Sequence, residues 1–504
     1  MAITIQQINS LGNIPEELHE PFLRVTNGLT QRADYSEEKV MGLLAQMLEN
    51  PKKFAYSRNK VTNLAKKIYE LRQQGAVIQL SEEGKLWLPK EDKMEVDEKP
   101  KAQAAEFDLL KENVPYSIFG STFIEEGALK QMDNAVSLPI SIAGALMPDA
   151  HQGYGLPIGG VLATEPDKII PYAVGVDIAC RMCLSVFDLP ADFFKREPHL
   201  LKRSLVEHTK FGIGGETRLK ADESVMDKIE WTATKIIRDL KDKAYRQLGT
   251  SGTGNHFVEW GLLEVTETDA LLNLPIGTYL ALLSHSGSRG FGGTVANHYS
   301  KIAMQKTKLP KQAAHLAWLD LNTEEGQEYW IAMNLAGDYA SANHHEIHAK
   351  LAKALNEKPL LMVENHHNFA WKELHQGREV LVHRKGATPA GINDLGIIPG
   401  SMTAPGFVVR GLGNETAINS ASHGAGRLMS RTAALNSITK SALNKVLQDH
   451  GIELIGGDLD EAPMVYKDIN NVIAAQTDLV KVLAKFTPKI VRMADANRKE
   501  GRED

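Results

Sequence analysis

The chain has 504 residues, of which 43% are hydrophobic and 24% charged, and a formal net charge of −6. It is long enough to bury a large core and to form more than one domain. The acidic balance excludes a globally basic nucleic-acid coat but not a locally basic groove. Two cysteines, Cys180 and Cys183, cannot build a disulfide framework. No basic flank with an apolar run opens the sequence, and no apolar stretch approaches the ~18 residues of a membrane span, so the expectation is a soluble, cytoplasmic protein.

In chain order, residues 1–90 read as a small helical module. SEEKVMGLLAQMLEN (36–50) and SRNKVTNLAKKIYELRQQG (57–75) carry apolar residues at helical spacing, with serines at the N-caps and Gly75 as a stop. AVIQLSEEGKLWLP (76–89) then reads as a C-terminal hairpin, which leaves two readings of the module, winged-helix-like or a generic helical appendage. Residues 91–108 are charged and poor in large apolar side chains, as expected of a linker. Residues 109–504 form one Gly-rich, apolar domain. Short β-rich runs (GGVLAT, GTYLALLSH, REVLVHRKG, FVVRGLG) alternate in it with helical runs at 218–247, 326–357, 437–450 and 467–486. The expected fold class is therefore α+β: a large mixed α/β catalytic domain and a small N-terminal module.

Histidines gather in short glycine-punctuated segments, where the backbone can approach an ion or phosphate closely. His256 lies in GTGNHFVE, His285 in LSHSGSRG and His367 in ENHHNFAW. Neutral imidazoles, with the carboxylate of Asp177 and the thiolate of Cys180 in GVDIACRM, suit a first-row divalent ion. Any one of these histidines alone would more often be a satisfied polar residue. If CRMCLS is a strand, Cys180 and Cys183 point to opposite faces, leaving Cys183 for the core. HHEIH (344–348) is not a zincin motif, because the position four after His345 is Ala349; it reads as a helix surface. GTSGTGN and HSGSRGFGG lack the Gly-Lys-Ser/Thr ending of a P-loop. His423 in SASHGAGR sits among small residues, with room for a large group on its imidazole nitrogen, as a nucleophile forming a phosphoramidate needs.

Taken together, PDAHQGYGLPIGG, VGVDIAC, GTGNHFVE, SHSGSRG, HHN, HRKGATPA, PGSM and SHGAGR resemble, in order, the RtcB family of GTP-dependent RNA ligases. The resemblance implies joining of an RNA 3′-phosphate or 2′,3′-cyclic phosphate to a 5′-hydroxyl. It implies GTP as co-substrate, two Mn²⁺ ions, a histidine–GMP intermediate and an activated RNA-pp-G end, in RNA repair or tRNA splicing, with archease as a candidate activating partner. It makes Cys180 the bridge between the ions, Asp177 and His256 ligands of one, His285 and His367 ligands of the other, and His423 the guanylylated nucleophile. Asn255, Phe257, Glu259, Ser401, Met402, Gly424, Ala425, Gly426 and Tyr466 match the GTP pocket. Asp149 and His151 match the segment near the 5′-hydroxyl end, and Arg289 and Lys385 are candidates for holding RNA phosphates.

The chain departs from the family pattern in four places. Arg181 replaces the glycine after the metal-site cysteine, adding positive charge beside the site. Gly406 stands where a serine contacts the nucleotide, and Met493 stands near the position of a C-terminal lysine, with Lys489 a loose substitute. Residues 1–108 have no counterpart in short members. The alternative within the same chemistry is a metal-dependent RNA-end-processing phosphoesterase or 3′-end guanylyltransferase that does not seal. An RNA-binding or partner-binding protein with a relict site is the reading from another class.

Overall fold

The computed structural model describes residues 3–30, 36–55, 61–88, 104–218, 220 and 223–496. The chain divides into two compact units, Met1–Ala102 and Gln103–Asp504.

The first unit is helical. Glu16–Thr30, Glu37–Glu49 and Thr62–Gln73 bury Leu18, Phe22, Leu44, Leu48, Leu64 and Ile68 in a common core. Ser36 caps the second of these through Lys39 N–H, and Gly75 takes φ +96° just past the third; the expected Ser57 cap lies outside the described residues. The expected hairpin does not form among the described residues. Ser81 accepts from Gly84 N–H and, with Glu82 and Glu83 in the first turn, starts a helix at Glu82–Lys85 instead. Only an isolated bridge, Gly12 to Leu80, is of β type. Residues 91–103 of the expected linker are not described. Ala105–Glu106 pairs in parallel with Thr307–Lys308, so the last linker residues already belong to the second unit.

The second unit is built on two sheets. The larger has the order Pro359–His366, Arg181–Pro190, Gly277–Ser286, Phe257–Val265, Val480–Asp495, Gly406–Gly411, Leu395–Ile398, with Glu453–Gly457 added in parallel to Val480–Asp495. The smaller has the order Asn368–His375, Arg378–Lys385, Ile158–Thr164, Ser141–His151, Tyr116–Ile118. Val161, Val380 and Val382 of the smaller sheet share one buried cluster with Ile398, Phe407 and Val409 of the larger. The strands expected from GGVLAT, GTYLALLSH, REVLVHRKG and FVVRGLG are all present.

The 32-residue helix Glu324–Leu355 is capped by Thr323, carries Glu324 and Glu325 in its first turn and ends on a left-handed Asn356. It packs on the Arg181–Pro190 and Gly277–Ser286 strands. Two expected helices change. Among the described residues of 218–247 only Lys235–Gln247 is α-helical, preceded by 3-10 turns. In 467–486 a short helix, Ile469–Ala474, gives way to the strand Val480–Asp495. VKVLAKFTPKIV is rich in β-branched residues interleaved with lysines, and Pro488 falls at a register shift where the ladder does not need its N–H.

Candidate metal and nucleotide site

The Asp177–Cys180 turn enters the Arg181–Pro190 strand and is docked by its backbone: Ala179 N–H donates to Asn368 O (2.7 Å) and His367 N–H to Cys180 O (3.0 Å). Asn368 also donates to Asp177 O (3.1 Å) and accepts from Gly386 N–H (2.8 Å). His285 ends the neighbouring strand, His256 precedes Phe257–Val265, and His367 sits between two strands, one from each sheet. Five side chains thereby meet. Cys180 Sγ is 3.0 Å from His285 Nε2 and 3.5 Å from His256 Nε2, His256 Nε2 is 3.0 Å from Asp177 Oδ2, and His285 Nε2 is 3.3 Å from His367 Nε2. Gly287 makes this packing possible: a Cβ there would lie 2.4 Å from Asp177 Oδ1.

The protonation states favour ligation. His285 Nδ1–H donates to Asn255 O (3.0 Å), which leaves its Nε2 lone pair facing the thiol. Burial pushes His285 down to about 3 and also lowers His367 strongly, so both rings are neutral. Burial would raise Asp177, but the hydrogen bond and charge of His256 outweigh it and hold the carboxyl below its ordinary value. Nδ1 of His256 and of His367 is buried without a partner. Convergent lone pairs, a thiol and a carboxylate fit one or two divalent ions of the softer first-row type, with nothing in the donor set that selects manganese.

His423 faces this cluster, its ring centroid 4.9 Å from that of His367. Asp149, fully buried, receives His423 Nδ1–H at 2.7 Å and the backbone N–H groups of His423 (3.1 Å) and Gly424 (3.2 Å). Burial would raise the Asp149 carboxyl, but the His423 charge and hydrogen bond bring it below the usual range. With Nδ1–H held by a carboxylate, Nε2 carries the lone pair, which is the arrangement of an activated imidazole nucleophile. Gly426 at φ +75° lets the chain pass Asp149 O, which a Cβ would meet at 2.0 Å.

A cavity of about 720 Å³ opens on these groups, within the range of small-molecule sites. Asn255, Phe257, Glu259, Ser401, Met402, Gly424, Ala425, Gly426 and Tyr466 all line it, together with His151, Lys385, Gly406 and Met493. Glu259 is 5% exposed and burial drives its carboxyl well above the ordinary value. Tyr466 bonds Glu461 through its hydroxyl and carries the Arg427 guanidinium 5.4 Å above its ring. The Lys385 amine donates to Tyr154 O, and burial lowers it to about 7. Burial also lowers His151, to about 4.

Several expectations need correction. Arg289 does not reach the cavity: it is buried and donates to Gly212 O (2.6 Å) and Thr250 Oγ1 (3.1 Å), bracing the loop before His256. Asp149 cannot touch RNA, being sealed beneath His423. Arg181 adds no free charge, because Glu364 pairs with it at 2.8 Å. Lys489 is not among the cavity residues, whereas Met493 is. HHEIH is not a helix surface, since His344 and His348 are buried. Sequence reasoning missed Asn343, which accepts from Gly249 and Thr250 N–H (2.7 and 3.1 Å) and donates to Thr250 O (2.9 Å). Its signal was its place beside HHEIH on a helix. Asn368 was hidden in a segment noticed only for its histidines.

Fold and cavity together define a protein with convergent metal-ligating side chains beside a carboxylate-held histidine, at one end of a pocket of small-molecule size. The family model described as tRNA-splicing ligase RtcB matches residues 131–494. The RNA-splicing ligase RtcB of Escherichia coli K12 is 35% identical over 413 residues, covering 74% of this chain and 96% of that protein. The tRNA-splicing ligases RtcB of Thermococcus kodakarensis (72% of this chain, 90% of that protein) and Nanoarchaeum equitans (76% and 95%) are each 30% identical. The chain belongs to the RtcB family.

Proposed function

We propose that this protein is an RNA ligase of RNA repair or tRNA splicing. It activates an RNA 3′-phosphate with GTP and seals it to a 5′-hydroxyl; a 2′,3′-cyclic phosphate end is first opened by water. The observation that carries the reading is His423, held by Asp149 with Nε2 free and its ring tilted against that of His367 of the five-residue cluster. A phosphoesterase that attacks with metal-activated water needs no imidazole nucleophile there.

In the first step His423 Nε2 attacks the α-phosphorus of GTP, a P–N bond forms and pyrophosphate leaves. Asp149 keeps Nδ1–H and balances the charge that develops on the ring. An oxygen of the RNA 3′-phosphate then takes the GMP from His423, giving RNA-pp-G. The 5′-hydroxyl attacks that end and expels GMP. Asp177, Cys180 and His256 would hold one Mn²⁺, and Cys180, His285 and His367 the other. Bound there, the ions would supply neutralisation of phosphate charge. Glu259 offers the base edge hydrogen bonds inside an apolar frame of Phe257, Met402 and Met493. Tyr466, Ser401, Asn255 and the Gly424–Ala425–Gly426 turn complete the nucleotide end, and Lys385 and His151 face the RNA ends. Gly406 removes one hydroxyl and Met493 one cation from the base contacts. Archease is the partner expected to speed turnover, and the cytoplasm the expected compartment.

The test is incubation with α-³²P-GTP and Mn²⁺. Acid-labile label is expected on the wild-type protein and absent from His423→Ala, and it should chase onto an RNA bearing a 3′-phosphate. Failure to label under any metal, with or without archease, would overturn the reading in favour of an end-processing enzyme.

A further inference from the structure

The strand that follows Cys180 and the strand that carries His285 have a second polar face, turned away from the cavity and covered by helix Glu324–Leu355. Cys183 pairs across with Ser284 on one side and with Glu364 on the other. Ser185 lies on the same face as Cys183, and Ser286 on the same face as Ser284. From the helix, His344 and His348, one turn apart, reach this face. The thiol of Cys183 and a nitrogen from each imidazole all lie within 4.8 Å of one another. All three residues are buried.

Their hydrogen bonds are those of waiting ligands. His344 Nε2 lies 3.1 Å from Ser286 O; a carbonyl can only accept, so that nitrogen carries the hydrogen and Nδ1 carries the lone pair. His348 Nδ1 bonds Ser185 Oγ at 2.7 Å. Each ring is thus held at its far nitrogen by a protein oxygen, the support that orients a metal-binding histidine. The two near nitrogens, His344 Nδ1 and His348 Nε2, both lie 2.7 Å from Ser284 Oγ. One hydroxyl hydrogen cannot serve two lone pairs. Without an ion, His348 must turn its hydrogen toward Ser284; with His348 Nδ1–H donated to Ser185, both lone pairs and the thiol converge. Cys183 has no hydrogen bond among the described residues. Glu364, 29% exposed at its side chain, pairs with the half-exposed His345 (3.4 Å) and with Arg181, two residues from Cys183, so the edge of this face lies near solvent.

We infer that Cys183, His344 and His348 form a second metal site, independent of the cavity, for a soft divalent ion of the zinc type, with Ser284 Oγ as the fourth donor. A thiolate and two imidazoles are zinc ligands, and a closed set of four describes a structural rather than a catalytic site. Binding replaces the S–H bond of Cys183 by an S–metal bond and releases the proton to solvent. The tetrahedral ligand separation is about 3.5 Å, so on binding Ser284 Oγ, now 2.7 Å from both nitrogens, moves back to admit the ion, which fastens the helix to the strands behind His285. The inference does not depend on the ligase reading.

The test uses the full chain with Cys180→Ser, which leaves Cys183 as its sole cysteine. Titration with Co²⁺ is expected to give a thiolate-to-cobalt charge-transfer band and intense tetrahedral ligand-field bands. The charge-transfer band, which the cysteine-free cavity of this variant cannot give, should saturate, disappear when Zn²⁺ is added, and be missing when Cys183→Ser is combined with Cys180→Ser. Absence of the charge-transfer band in a Cys180→Ser protein whose circular dichroism matches wild type overturns the inference. A second measurement needs no variant at Cys180. Trypsin cuts after Arg181 and separates the two cysteines, so alkylation of Cys183 can be followed alone in the wild type. Zinc is expected to slow it at least tenfold, and His344→Ala/His348→Ala to abolish that protection. An alkylation rate indifferent to zinc also overturns it.

Discussion

The two faces of the Arg181–Pro190 and Gly277–Ser286 strands carry the same residue types with opposite wiring. On the cavity face, Cys180, His256, His285 and His367 leave Nδ1 of two rings without partners, and Glu259 and Lys385 stand nearby with charges that burial disfavours. On the helix face, every ring nitrogen of His344 and His348 has a serine or carbonyl partner. A face whose polar groups lack protein partners keeps the cost of desolvation until a ligand arrives, and so binds and exchanges it. The helix face must give up its two bonds to Ser284 before it takes an ion, and so it holds its shape with or without one. Composition does not separate these roles; the location of the remaining hydrogen-bond valence does.

The contrast can be broken most severely on the cavity face. Cys180→Ala removes the thiol that contacts both His256 and His285, and metal-dependent labelling by GTP is expected to fall below detection while circular dichroism is retained. Asp149→Asn keeps the shape but lacks the charge that balances the His423 ring. Labelling should slow by roughly 100-fold or more, with nucleotide affinity nearly unchanged in equilibrium binding.

Lys385 supplies a pH test. Its folded value, about 7, lies below the ordinary 10.5, so between these the unfolded chain binds the extra proton and stability rises with pH. The penalty is complete below pH 7 and gone above 10.5. Denaturant titrations should show this contribution as a slope of up to about 1.4 kcal/mol per pH unit in the window, missing from Lys385→Met. A slope of opposite sign, or one shared equally by the variant, contradicts the burial argument. The smallest change belongs to the helix face. Ser185→Ala strips His348 of one partner and should cost about 1–2 kcal/mol of stability, read as a shift in melting temperature, with labelling of the folded protein intact. If it instead abolishes labelling, the two faces are not separable.

Much of the site was legible because its residues lie in short motifs: His423 among small residues, His285 between serines, and Cys180 three residues after Asp177. Strands with continuous apolar runs, such as GTYLALLSH, were equally plain. Three things were not. Val480–Asp495 reads as helix-compatible locally, and only its neighbours in the sheet decide the period. Asp149 sits in a motif whose resemblance pointed outward, whereas its carboxylate is buried under a residue far along the chain. Cys183 and HHEIH were each dismissed by spacing rules that apply within one segment, while their meeting is a property of the strand face and the helix together. At the other end of the protein, Ser81 followed by two glutamates outweighed the alternation that suggested a hairpin.

The strand Val480–Asp495 pairs with Phe257–Val265 on one side and Gly406–Gly411 on the other. Until it is in place, the large sheet is split in two, and Met493 is missing from the cavity wall. A ribosome making this chain therefore exposes two unpaired strand edges until residues beyond Val480 emerge, and such edges invite mispairing. The cavity wall is likewise unfinished until synthesis has passed this strand, because Val491 and Met493 belong to it.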